Sequence, residues 1–232
     1  MSEIGAIQSI WDGFDFTYIL SILLSVVPSL VCITLHELSH GLVAYKLGDD
    51  TAKRAGRLTL NPMKHLDVAG LLMMLVFHVG WAKPVPVNMF RFKNPKRGMA
   101  VTALAGPVSN IIIAVVFLFL YGVAYIPLGF SEVGGYFLAM LQLTAYISLG
   151  LAVFNLIPIS PLDGSKVLFS LMSDEKYYKL MRYEKYGFVI MLLLVATGAL
   201  GKPLSIVIDW LYAALIPVAQ CGCDMVFYLF YK

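Results

Sequence analysis

Two histidines four positions apart, His36 and His40, enclose Glu37 in the run Leu35-His36-Glu37-Leu38-Ser39-His40-Gly41. On an α-helix that spacing stacks both imidazoles on one face, where each can offer a nitrogen to the same cation. Glu37 lies about 100° around the helix from His36, beside such a cation rather than in line with it. These residue types suit zinc held by three protein ligands with one position left open. Water is activated there near neutral pH, and a neighbouring carboxylate takes its proton. The flanks 25–35 and 41–45 are apolar, and ionisable groups inside a membrane segment are rare unless they are functional.

Asp163 is the candidate third ligand. It stands in the run 154–164, which also carries Asn155, Pro158, Pro161 and Gly164. The two prolines end one helix and Asp163-Gly164 opens the next, so the carboxylate either completes a His, His, Asp set or caps that helix. Asn155, two turns earlier, can donate to a developing oxyanion or hold a substrate carbonyl. A second polar run in apolar surroundings is Gly106-Pro107-Val108-Ser109-Asn110. Gly106 lets another backbone come close, and Asn110 can bond across to the metal helix or to a substrate backbone, or simply join helices. Cys32, one turn before His36, reads as packing. His65 and His78 flank the apolar stretch 66–80 and either line the site or pack.

The chain that must position these groups has 232 residues, 59% of them hydrophobic and 13% charged, with a mean hydropathy of +0.81. That composition excludes a soluble globular domain and any nucleic-acid-binding role resting on a basic surface. It predicts an all-α polytopic membrane protein with five to six transmembrane or re-entrant helices. The chain reads as one domain over 1–232, with a catalytic core at about 15–170 and a C-terminal hairpin and tail at about 186–232. The hairpin turns around Gly201-Lys202-Pro203, and its second helix ends near Val218. Lys and Arg cluster in 46–64, 83–97 and 166–185, which the positive-inside rule places in the cytoplasm.

The first helix is predicted over 15–47, with its N-terminus outside, so that the histidines lie toward the cytoplasmic side. Further spans are predicted over 98–126 and 136–157. The stretch 66–80, about 15 residues, is too short to cross and reads as re-entrant. The segments 53–62 and 81–88 could form short membrane-associated β segments near the site, whose edge would take an unwound substrate as a further strand. Ordinary polar connectors are the alternative.

His36-Glu37-Leu38-Ser39-His40, Gly106-Pro107-Val108-Ser109-Asn110 and Asn155 through Pro158 to Asp163-Gly164 together resemble the site-2 proteases, zinc metalloproteases of the M50 type that cut within the membrane. The resemblance covers about 31–166 and is closest to the small bacterial branch. It implies one Zn2+ per chain on His36, His40 and Asp163, with Glu37 as general base and Asn155, Asn110 and Gly106 near the substrate or oxyanion. It also implies membrane-protein substrates with transmembrane segments, contact with the lipid bilayer and residence in a bacterial plasma membrane. The chain departs from better-known members in having no PDZ insertion, no nucleotide-binding domain and no helix ahead of the metal helix. Two other classes fit parts of the pattern: a membrane metal transporter or sensor, which has no need of Glu37, and a non-catalytic scaffold for membrane helices.

Overall fold

The computed structural model describes residues 16–67, 69, 70 and 81–230. Every regular element among them is helical, and four helices are long and apolar enough to cross a membrane. The first, α1, runs Phe16–Lys46 and carries Pro28 inside it. It ends at Gly48, whose φ of 105° is the left-handed conformation that closes a helix at little cost for a residue without Cβ. A short helix α2 (Thr51–Arg54) and a 3-10 turn at Pro62–Lys64 follow. A second 3-10 turn at Met89–Arg91 leads into the 34-residue α3, Pro95–Leu128. Asn94 caps α3 by accepting from Arg97 N–H at 3.1 Å, and Pro95 takes the first position, where no N–H is needed.

The chain returns along α4 (Glu132–Asn155), capped by Ser131, whose hydroxyl accepts from Gly134 N–H at 3.0 Å. Three shorter helices come next: α5 (Asp163–Ser170), α6 (Asp174–Arg182) and α7 (Glu184–Ala196). The last, α8, spans Gly201–Phe230.

The spanning helices pack around a shared core. Ala114 and Leu118 of α3 meet Ala145 and Leu149 of α4, and α8 covers them with Ile208, Leu211, Tyr212, Leu215 and Ala219. The α3–α8 crossing is close because Gly122 and Gly222 lack side chains: a Cβ on either would collide with the facing backbone at Ala219 or Phe119. Without a hydrophobic drive between helices in lipid, such small-residue contacts let dispersion and polar bonds hold the pair. Here Cys223 Sγ donates to the Gly122 carbonyl at 3.2 Å.

The described residues contain four candidate spans; α7, with 13 residues, is about 20 Å long and too short to cross a core of about 30 Å. Residues 68 and 71–80 of the expected re-entrant stretch lie outside the described residues. The C-terminal helix does not stop near Val218 but continues through Pro217 to Phe230. In lipid, backbone groups must be satisfied within the segment, so the helix resumes after a proline, and Gly222 keeps it seated on α3. The turn before it lies at Gly198, with φ 69°, and Gly201-Lys202-Pro203 forms the first turn of α8.

The expected β segments reduce to one antiparallel bridge, Leu66 to Ala82, with Lys83 N–H donating to His65 O at 2.9 Å. The ladder stops there for a chemical reason. Pro84 and Pro86 have no N–H. The intervening donor, Val85 N–H, goes to the Glu37 carboxylate at 2.8 Å, and Asn88 N–H goes to Asp49 at 2.6 Å. The segment 81–88 is therefore an extended strap tied down by side chains.

Asp49 is the knot of that strap. Fully buried, it also accepts from Thr51 N–H at 3.0 Å and from the Thr51 hydroxyl, with Arg91 Nε at 4.0 Å. Burial pushes its carboxyl pKa up, but the bonds from Thr51 and Asn88 and the charge of Arg91 outweigh it and hold the group below the usual carboxylate range. A carboxylate whose folded pKa is depressed stabilises the fold above its unfolded value, about 3.9, and loses that contribution as pH falls through the folded value. Asp49→Asn turns an acceptor into a donor that faces N–H groups. It should cost about 1–3 kcal/mol, read as a lower unfolding temperature in detergent at pH 7. The gap should close as the wild type is acidified below about pH 4. Coincident melting curves at pH 7 would refute this role.

Candidate metal centre

Three elements bring the centre together. His36 and His40 share one face of α1, four residues apart. Asp163 opens α5, carried to them by the chain reversal after α4 that Pro158 and Pro161 enforce. The Nε2 atoms of His36 and His40 lie 3.0 Å apart, and Asp163 Oδ2 lies 3.3 Å from the first and 3.1 Å from the second. All three residues are buried, and Oδ2 has no hydrogen-bond partner. Ligands about 2.0–2.1 Å from a tetrahedral ion stand about 3.3–3.4 Å from one another. Two imidazole nitrogens and a carboxylate oxygen at these separations would suit a single zinc ion beside the cavity they line. Burial opposes ionisation of Asp163, but the two imidazoles and the nearby charge of Lys166 hold its carboxyl well below the usual range.

The backs of the imidazoles are fixed by α3. His40 Nδ1–H donates to the Thr102 carbonyl at 2.7 Å, which leaves Nε2 with its lone pair toward the centre. The Asn110 amide stands 3.2 Å from His36 Nδ1, and its Oδ1 is buried without a partner. Amide oxygen and nitrogen exchange by a half-turn of the group. With Oδ1 accepting from Nδ1–H, the His36 Nε2 lone pair is presented in the same way. Ser148 donates to the Asn110 carbonyl at 2.8 Å and ties this support to α4.

Gly106 lies directly against the Nε2 edges of both rings, the edges that face Asp163. A Cβ there would stand 2.5 Å from His36 Cε1, 2.6 Å from His36 Nε2, and closer still to His40 Nε2. The missing side chain is what lets α3 press against both imidazoles.

Glu37 faces a cavity of about 400 Å³ that His36, His40, Val85, Asn155, Asp163 and Lys166 also line. Its Oε2 accepts from Val85 N–H, the single N–H that Pro84-Val85-Pro86 possesses. Asn155 spends one amide hydrogen on the Leu151 carbonyl at 2.9 Å, leaving the other for the cavity.

Not every residue singled out in the sequence lines the cavity. Asn110 supports His36 from its Nδ1 side and Gly106 abuts the Nε2 edges of both imidazoles, and neither is among the cavity-lining residues. Cys32 Sγ donates to the Thr144 carbonyl at 3.5 Å, a packing contact between α1 and α4. His65 is buried in the loop, its Nε2 2.9 Å from the Thr59 carbonyl, and does not line the cavity. His78 lies outside the described residues. Sequence reasoning missed Thr102, which acts through its backbone, and Val85, although the flanking prolines single out that N–H. It also missed Lys166, seen only as one more basic residue.

Residues 122–197 match the profile described as peptidase family M50. That stretch contains Asn155, Asp163 and the reversal that delivers them. The chain is also similar to "Putative zinc metalloprotease YwhC" of Bacillus subtilis, with 39% identity over 88% of this chain and 90% of that protein. The chain belongs to peptidase family M50. Among further relatives are Rip2 of Mycobacterium tuberculosis H37Rv, 30% identical over 79% of this chain and 70% of that protein, and "Zinc metalloprotease MJ0392" of Methanocaldococcus jannaschii, 28% identical over 86% of this chain and 44% of that protein. No solved structure matches the chain at a significant level. Membership of family M50 agrees with a zinc-type donor set, two of whose three members stand on a helix of membrane-spanning length.

Proposed function

We propose that this chain is a zinc-dependent endopeptidase that hydrolyses peptide bonds in or beside transmembrane segments of membrane proteins. The observation that carries the reading is the meeting of His36, His40 and Asp163 with Glu37 on one cavity, on a helix long and apolar enough to cross a bilayer. His36, His40 and Asp163 hold the metal. Zinc bound by three such ligands supplies a Lewis acid and lowers the pKa of water at its open position.

The remaining steps belong to the side chains and backbone. Glu37 takes the proton from the attacking water and later passes it to the leaving nitrogen, the two halves of general acid–base catalysis. Val85 N–H holds the Glu37 carboxylate in the orientation that serves both transfers. Asn155 offers its free amide hydrogen to the substrate carbonyl oxygen as charge develops there. A helical substrate must unwind locally before it can react, because its carbonyls are committed to helical bonds. His36 lies ten residues before Lys46, about 15 Å along the axis. The Lys and Arg distribution puts that end in the cytoplasm and the N-terminus outside, so the cavity opens inward.

The test is cleavage of a single-pass membrane protein in proteoliposomes. Chelation should abolish it and added zinc restore it, with new termini mapping by mass spectrometry to the apolar segment or its edge. Cleavage indifferent to chelators would sink the metal assignment, and cuts confined to remote soluble loops would sink the substrate class.

A further inference from the structure

Among the described residues, Lys166 is the one Lys or Arg that lines the candidate catalytic cavity. It is half-buried, one turn after Asp163 on the same face of α5. Among the described residues no carboxylate oxygen lies within 4.0 Å of it, and no hydrogen bond occupies it. Its charge reaches Asp163 only through space.

Both carboxylates of the cavity are engaged elsewhere, Asp163 with the imidazoles and Glu37 with Val85 N–H. The uncommitted charge facing an incoming chain is therefore positive. An ammonium losing water to a bound peptide is destabilised unless an anion replaces that water.

We propose that Lys166 is a specificity-determining residue that binds a carboxylate carried by the substrate close to the scissile bond, on a side chain or at the chain end. The inference rests on the protease reading above. Side chains one turn apart stand about 5–6 Å from each other, and an extended peptide advances about 3.3 Å per residue. The carboxylate therefore falls within roughly three residues of the cut.

The experiment uses the full chain in proteoliposomes of fixed lipid composition. Matched transmembrane peptides carry Glu, Gln or Lys at each position within three residues of the cut, and shortened Gln peptides end there as acid or amide. At one position, or at the acid terminus, the wild type should show a KM lower by about tenfold than for its neutral counterpart, the scale of a charge-assisted bond. The responding set identifies the source of the carboxylate. Lys166→Met should remove that preference, read as equal KM for the Glu and Gln peptides on zinc-loaded preparations, and Lys166→Glu should turn the preference toward Lys.

Equal wild-type cleavage of all peptides overturns the inference alone, since proteolysis itself then stands. So does a Glu preference that survives in Lys166→Met. Loss of zinc in Lys166→Met overturns it in favour of support for Asp163, and sensitivity to anionic lipid but not to peptide charge overturns it in favour of headgroup binding. Failure of the wild type to cut any peptide removes the protease reading and this inference with it.

Discussion

Glu37→Gln should retain its zinc and its unfolding temperature and lose cleavage by on the order of 10²–10⁴-fold, the contribution of a positioned acid–base group. The substitution preserves size, and a glutamine oxygen can still accept from Val85 N–H, so the strap keeps its anchor. His36, His40 and Asp163 are untouched, and the hydrogen bonds recorded at their backs come from Thr102 and Asn110 rather than Glu37. What is lost is a base, because an amide cannot take a proton from water. Metal content measured on the same preparation as the kinetics decides the matter. Activity within a few-fold of wild type would remove Glu37 from the chemistry, whereas loss of zinc would make it a structural support.

A larger effect on metal binding is expected from adding one carbon. Gly106→Ala places a Cβ 2.5–2.6 Å from two atoms of the His36 ring and against His40 Nε2. The rings cannot simply swing aside, since Thr102 and Asn110 hold them from behind. Either the imidazoles or α3 must move by more than the ±0.2 Å within which metal–ligand distances are held. Zinc affinity should fall by at least about 10–100-fold, the scale seen when supports of metal ligands are lost. Helix propensity runs the other way, favouring alanine by about 1 kcal/mol. Overpacking against rings that are held in place costs about 1–3 kcal/mol and outweighs that gain, so the metal-free variant should unfold at or below the temperature of the metal-free wild type. A variant that keeps full zinc affinity would show that the missing side chain at Gly106 is not needed beside the rings.

The sequence exposed the long apolar helices, because runs of Leu, Ile and Val bounded by charge leave one outcome in lipid. It also exposed the pairing of His36 with His40, which is a matter of helical spacing. That Asp163 meets them followed from charge placement and the prolines at 158 and 161. The remaining partners left no such trace. Thr102 contributes a backbone carbonyl, which any residue type would supply. Gly106 read as room for another backbone, yet the space is filled by imidazole. Of the two outcomes open for 53–62 and 81–88, connectors prevailed over β segments. The reason is that β-prone residues and alternating prolines say nothing about where an N–H will find its acceptor, and here acceptors on Glu37 and Asp49 took those of the strap. The last helix, expected to end near Val218, is kept going to Phe230 by packing at Gly222 against α3.

The proline-flanked strap has a consequence for how a peptide can pair with it. Between Lys83 and Pro86 no main-chain hydrogen is left to give, since two are committed and two do not exist. On the protease reading proposed above, a peptide laid alongside meets a rim that can only accept hydrogen bonds, and Arg57 already holds the Lys83 carbonyl, so fewer than half the rungs of a full sheet can form there.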